Sequence, residues 1–225
     1  DNKNRDINSN YYRRLAFDEI FAHLLTMSKN RKKIKNVLKK KKKFKNIISD
    51  KIINKLPYQL TIGQKNAIAE INNDLTSNKR MFRILQGDVG SGKTIVSLVA
   101  ISNVIESNFQ CAIMAPTEIL AKQHFTLANE IFKSHKIKID LLTGKTENKK
   151  RKKILKDLED NKTKLIIGTH ALFQKKINFN NLGLIVIDEQ HKFGVKQRKA
   201  LSDKGGINCD VLLMSATPIP RTLTM

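Results

Sequence analysis

Between Gly87 and Thr94 the chain reads GDVGSGKT, which fits the spacing G-x-x-x-x-G-K-[ST] of a phosphate-binding loop. Gly87, Gly90 and Gly92 allow tight turns that point successive backbone N–H groups inward at phosphate oxygens. A helix that starts at the loop's end adds the partial positive charge of its N-terminus. Lys93 can reach β- and γ-phosphates, and the Thr94 hydroxyl can ligate Mg²⁺. With Asp88, Val89 and Ser91 completing the loop, residues 87–94 form a set suited to ATP and Mg²⁺.

A phosphate loop needs a carboxylate on another strand to share the metal. The stretch VIDEQHKFG, Val186 to Gly194, offers Asp188, Glu189, Gln190 and His191 in a row, directly after the apolar run Leu182 to Ile187. Alone, these four suit a metal site, an acid/base pair or a polar turn. Beside a phosphate loop, Asp188 suits Mg²⁺ held through water, and Glu189 suits a carboxylate that orients and deprotonates an attacking water. Zinc is disfavoured: four adjacent residues at a strand end cannot converge on one tetrahedral ion, and no cysteine or second histidine is suitably spaced. Further on, SATPIPRT (Ser215 to Thr222) follows another apolar run. The Ser215 and Thr217 hydroxyls can hydrogen-bond the acidic cluster and report on the γ-phosphate, although Ser-Ala-Thr alone reads as a strand-end turn.

These residues need a frame. From Tyr58 onward short apolar runs, FRILQG, CAIMAP, IKIDLLTG, KLIIGT, LGLIVID and VLLMSAT, alternate with the helix-like KTIVSLVAISNVI, EILAKQHFTLANEIF, NKKRKKILKDLED and GVKQRKALS. Strands of this kind separated by helices imply βαβ units, hence an α/β domain built on a doubly wound parallel sheet with ligands at the carboxyl ends of its strands. Residues 1–55 differ. YYRRLAFDEIFAHLLTMSKNRKK places Leu15, Ile20, Phe21, Leu24 and Leu25 on one helical face, and in the lysine block Arg31 to Lys45 the residues Ile34, Val37 and Leu38 continue a helical stripe. That block is either a solvated helix or a surface that runs along phosphates. The expected division is a basic helical segment, 1–55, followed by a nucleotide-binding domain, 56–225.

Lys and Arg outnumber Asp and Glu by 43 to 20, a net charge of +23 that favours a polyanionic partner. Cys111 and Cys209 lie far apart and suggest neither a disulfide framework nor a zinc knuckle, and Cys111 reads as a small core residue. No apolar run approaches the roughly 18 residues that span a bilayer. The expectation is a soluble cytoplasmic protein with no membrane partner.

In this order and spacing the segments resemble the first, RecA-like motor domain of superfamily 2 helicases, and within them the RecG family of branch-migrating DNA helicases. YYRRLAFDEIFAHLL looks like the helical segment after that family's DNA-wedge domain. LPYQLTIGQKNAI resembles the entry to its motor, where Gln64 would recognise adenine. LQGDVGSGKT, MAPTEILAKQH, LLTGKT, IGTHALFQ, VIDEQHKFGVKQR and SATPIPRTL resemble its successive motifs. The transcription-repair coupling factor shares FGV and TPIPRT, but its family usually carries a second Glu at the place of Gln190 and lacks APTEILA.

The resemblance implies roles that spacing alone does not. Pro116, Thr117 and Glu118, with Gly144 and with Gly168, Thr169 and His170, would touch the DNA backbone. Gln190 and His191 would couple the γ-phosphate to Ser215, Ala216 and Thr217. His23, His124 and His135 lack such context and read as ordinary. The expected partner is branched or forked double-stranded DNA, as in replication forks and Holliday junctions, handled in recombination and repair. The family also implies a wedge domain and a second motor domain bearing an arginine finger, neither of which these 225 residues contain. Such a finger contributes about 10³ to 10⁵ in turnover in related NTPases. A monomer that binds ATP far better than it hydrolyses it is therefore expected. A nucleotide-gated DNA-binding module without turnover is the alternative from another class, and an RNA helicase fits DEQHKFG and TPIPRT less well.

Overall fold

A computed structural model describes residues 38–174, 176–189 and 206–216, together with Arg14, Phe17, Asp18 and Phe21. Its helices are α1 (Ile47–Lys55), α2 (Ile62–Thr76), α3 (Lys93–Glu106), α4 (Glu118–Phe132) and α5 (Asn148–Glu159). Its strands are β1 (Phe82–Gln86), β2 (Gln110–Met114), β3 (Ile139–Leu142), β4 (Leu165–Gly168), β5 (Leu182–Ile187) and β6 (Asp210–Ser215). The strands form one parallel sheet in the order β1-β6-β5-β2-β4-β3. All six expected strands are present, each trimmed or shifted by a residue or two at its ends.

Alternation along the strands makes the two layers. Leu184 and Val186 of β5 enter a core with α1 to α4, while Ile185 and Ile187 enter a second core with Ile154 and Leu158 of α5. α3 is buried along almost its whole length, from Ile95 to Ile105, because it lies between the sheet and α1 and α2. That explains an apolar composition on every side of the helix. Helix α2 was not among the expected helices, although Thr61 and Gln64 close a reciprocal capping box at its start. Arg83 of β1 ties α2 to the sheet, with Nε donating to Asp74 Oδ2 at 2.7 Å and a second contact to Glu70. Cys111 and Cys209 are both buried free thiols; burial pushes both up, Cys209 to about 12, so neither is reactive.

The basic segment departs from the expected helix at residues 38–45, whereas Leu15, Ile20, Leu24, Leu25, Ile34 and Val37 lie outside the described residues. Arg14, Phe17, Asp18 and Phe21 are helical, with the two phenylalanine rings stacked at 5.8 Å, and 47–55 is helical as α1. The lysine block between them is not helical from Leu38 to Lys45. Leu38 forms an antiparallel bridge with Lys79, and the following residues run as an extended strap across the amino end of the sheet. Two lysines leave solvent entirely. Lys39 Nζ and Lys42 Nζ donate to the same oxygen, Asp210 Oδ2, at 2.6 and 2.5 Å, and all three side chains are fully buried. Lys42 also lies 5.1 Å from the Phe109 ring centre. The strap, held by Lys39 N to Asn78 O and Lys42 N to Leu75 O, brings both ammonium groups to one carboxylate. Among the described residues, no helix is long and apolar enough to cross a membrane.

Candidate active site

In a parallel sheet every strand ends on the same edge, so the sequence motifs that follow β1, β5 and β6 are neighbours. β6 lies between β1 and β5, and Gly87 N donates to Ser215 O at 3.3 Å, which joins the phosphate loop directly to the Ser215–Ala216 turn. Asp188 follows β5, two strand spacings from the phosphate loop or about 10 Å. Its N–H donates to Met114 O at 2.8 Å, which holds it in register with β2.

The loop itself turns on glycine geometry. Gly90 and Gly92 both have φ of 80°, the left-handed region, and Gly92 caps α3. A Cβ at Gly92 would lie 2.4 Å from Gln64 Nε2, because the Gln64 amide rests on the loop. That amide donates to Ser91 O at 2.9 Å, while its Oε1 accepts from Thr61 N at 3.0 Å. Each amide atom retains capacity for one further hydrogen bond. Lys93 is folded over its own loop, with Nζ donating to Gly87 O at 2.6 Å and Asp88 O at 2.8 Å. Thr94 is half-buried in the first turn of α3, while Asp88, Val89 and Ser91 are exposed. A hydroxyl from Thr94 and a carboxylate from Asp188 are hard oxygen donors, the chemistry Mg²⁺ prefers.

Glu189 has φ of 47°, uncommon for a residue with a Cβ, so the chain turns sharply at the carboxylate expected to handle water. Backbone strain of this kind clusters at functional sites. Gln190, His191 and Thr217 lie outside the described residues.

One partner of Asp188 was not foreseen. His124, read as ordinary from the sequence, places Nε2 2.9 Å from Asp188 Oδ2, with both residues buried. An ionised carboxylate only accepts, so Nε2–H donates. The sequence held a signal: His124 shares the buried face of α4 with Ala121 and Ala128, and an imidazole on an apolar stripe demands a polar partner.

The other half of the same edge gathers the remaining candidates. Thr117 caps α4 by accepting Leu120 N at 3.2 Å, and Pro116 precedes it. Glu118 opens the helix, with Oε2 3.9 Å from Lys145 Nζ and Oε1 3.5 Å from where a Cβ on Gly144 would sit. Gly168 ends β4; a Cβ there would come within 2.2 Å of Leu142 O, so glycine is what lets β3 and β4 close. Thr169 is buried with no partner for its hydroxyl among the described residues, and His170 is exposed beside it. Pro116–Glu118, Gly144 and Gly168–His170 therefore belong to one strip at the ends of β2, β3 and β4.

Residues 61–225 match the model of the DEAD/DEAH box helicase family. This chain belongs to the DEAD/DEAH box helicase family. Within that helicase family the resemblance to RecG stands. The chain is 44% identical over 216 residues to the ATP-dependent DNA helicase RecG of Aquifex aeolicus, covering 96% of this chain and 27% of that protein. It is 47% identical over 215 residues to RecG of Thermotoga maritima, covering 94% of this chain and 27% of that protein. A solved structure of RecG bound to a three-way DNA junction superposes with a TM-score of 0.81 at 44% identity, covering 94% of this chain and 28% of that one. A hypothetical ATP-dependent RNA helicase from Sulfolobus tokodaii matches with a TM-score of 0.62 at 18% identity over 80% of this chain and 53% of that one, a likeness of fold alone. This helicase chain spans about a quarter of the length of the RecG relatives from Aquifex and Thermotoga.

Proposed function

We propose that the chain is the ATP-binding part of a RecG-type DNA helicase, a cytoplasmic double-stranded DNA translocase that remodels forks and Holliday junctions in recombination and repair. The observation that carries this is the shared edge. The phosphate loop, Ser215 and Asp188–Glu189 adjoin there, next to a strip formed by the ends of β2, β3 and β4.

In this reading the loop amides of residues 87–92 receive the β-phosphate, and Lys93 exchanges its two carbonyl partners for β- and γ-phosphate oxygens. Gln64, already resting on the loop, uses its remaining hydrogen-bonding capacity on adenine. Mg²⁺, held by Thr94 and through water by Asp188, would neutralise charge between the β- and γ-phosphates. Glu189 takes the proton of the attacking water, and Gln190 and His191 relay the phosphate state to Ser215, Ala216 and Thr217. Pro116, Thr117, Glu118, Gly144, Gly168, Thr169 and His170 follow the DNA backbone, where backbone amides and hydroxyls meet phosphate. Domain 56–225 acts with a second motor domain and a wedge domain supplied by the longer protein, as a monomer.

Thermal unfolding of the chain with and without ATP and Mg²⁺ tests the nucleotide site. At a ligand concentration of about 100 Kd, binding stabilises by about 2.7 kcal/mol, a rise of about 5–11 °C for a protein of this size. Lys93→Ala should remove the rise, and an undiminished rise in that variant would sink the assignment. Affinity for forked DNA against duplex RNA at one stated salt concentration separates the DNA reading from an RNA one.

A further inference from the structure

We infer that His124 is a positioning residue for Asp188: it holds the carboxylate in the one orientation that presents Oδ1 to the metal-bound water, and so sets the affinity of the site for Mg²⁺ with nucleotide. The inference rests on the ATP-site reading above and deepens it, adding a residue that no motif assignment had given a role.

Three observations converge. First, the contact is short and enclosed, Nε2 to Oδ2 at 2.9 Å with each side chain about one-tenth exposed. Secondly, Asp188 is already constrained at its backbone by Met114 O. Its side chain then keeps two rotations, about Cα–Cβ and Cβ–Cγ, and the imidazole restrains both by holding Oδ2. Thirdly, His124 is itself immobile, on the inner face of α4 between Ala121 and Ala128, both fully buried in the same core as Val186 of β5. A long flexible donor would spend rotamer entropy on this task; an imidazole packed in a helix face spends little. Partners of this kind behind a metal-binding carboxylate orient it, and their loss typically lowers metal affinity about 10–100-fold.

α4 also begins at Thr117, in the strip assigned to the DNA backbone. One helix thus carries Thr117 and Glu118 of that strip at its start and the holder of Asp188 two turns later.

The alternative is a core histidine whose polar edge merely happens to be satisfied by Asp188. Nucleotide affinity of the 225-residue chain, read with a fluorescent ATP analogue across a Mg²⁺ titration and again in EDTA, separates the two. His124→Leu should move the Mg²⁺ midpoint upward by tenfold or more while leaving the EDTA affinity within about twofold. His124→Gln, whose amide nitrogen can occupy the place of Nε2, should restore the midpoint to within about threefold of wild type. His124→Asn, a donor too short to reach Oδ2, should behave as His124→Leu and serves if the leucine variant fails to fold. An unmoved Mg²⁺ midpoint in a folded His124→Leu or His124→Asn overturns the inference. So does an equal loss of affinity in EDTA, which would mark a general structural role. If the wild-type chain shows no Mg²⁺-dependent nucleotide binding at all, the ATP-site reading itself fails, a result distinct from either.

Discussion

Asp210→Asn should be among the most damaging single-atom changes in this protein, and its cost can be worked from the strap. One oxygen, Oδ2, accepts from Lys39 at 2.6 Å and from Lys42 at 2.5 Å, while Oδ1 accepts Met81 N at 2.6 Å. All three charged side chains are fully buried, so water screens none of them. Asparagine keeps the shape and one acceptor but removes the carboxylate that both ammonium groups share. Breaking a buried pair by removing one partner costs about 3–5 kcal/mol, because the remaining charge is left uncompensated. For a domain of this size that lowers Tm by about 6–20 °C. The assay is urea and thermal unfolding followed by circular dichroism, on Asp210→Asn, Lys39→Met and the double variant. Lys39→Met alone leaves a one-to-one pair of Asp210 with Lys42, with no charge uncompensated, and should cost less than Asp210→Asn. The double variant should recover part of the Asp210→Asn loss, a coupling that the cycle measures. An Asp210→Asn protein within about 1 kcal/mol of wild type would refute the view that the strap is held by this triad.

The same triad gives a pH signature: burial, opposed in part by Asp210, holds the Lys39 ammonium below its usual range. The unfolded state therefore binds more protons between the folded pKa and the ordinary value near 10.5, so stability should rise with pH through that window. Measured as the difference between wild type and Lys39→Met in urea from pH 8 to 10.5, wild type should gain as pH increases, and a difference that falls or stays flat contradicts the assignment. Gly168→Ala places a methyl 2.2 Å from Leu142 O, a backbone atom that can move only by prising β3 from β4. A loss of about 1–3 kcal/mol is expected, with faster amide exchange in Ile139–Leu142, and unchanged exchange there would count against the tight approach.

Much of this molecule was legible because the information is local. The six strands announce themselves as apolar runs, α4 begins and ends as the EILAKQHFTLANEIF pattern implies, and the phosphate loop is read from eight consecutive residues. What sequence reading missed is non-local. Lys39 and Lys42 meet a carboxylate 171 and 168 residues away, so their block looked like a solvated helix or a phosphate track. His124 meets Asp188 across 64 residues. Helix α2 is a different case, a local signal passed over: its capping box was visible in LTIGQ, but its mixed exposed face carries little periodicity.

Asp210 and Gln110 are buried at the amino edge of the sheet, Thr169 and Asp188 at its carboxyl edge. At the amino edge, Asp210 heads β6 and Gln110 heads β2. Both are fully occupied, Asp210 by the strap and Met81, and Gln110 by Leu158 O, Thr163 O and Asn181 N. Groups whose hydrogen bonds are all made within the fold have nothing left to offer a ligand, so they hold segments in place. At the carboxyl edge the Thr169 hydroxyl is buried without a partner among the described residues, and one oxygen of Asp188 is held by His124. Buried polar atoms without partners are costly unless something else supplies the bond, and in open α/β sheets that something arrives at the carboxyl ends. Substitutions at Asp210 and Gln110 should therefore move Tm and leave ligand affinity alone, whereas those at Asp188 and Thr169 should move ligand affinity more than Tm.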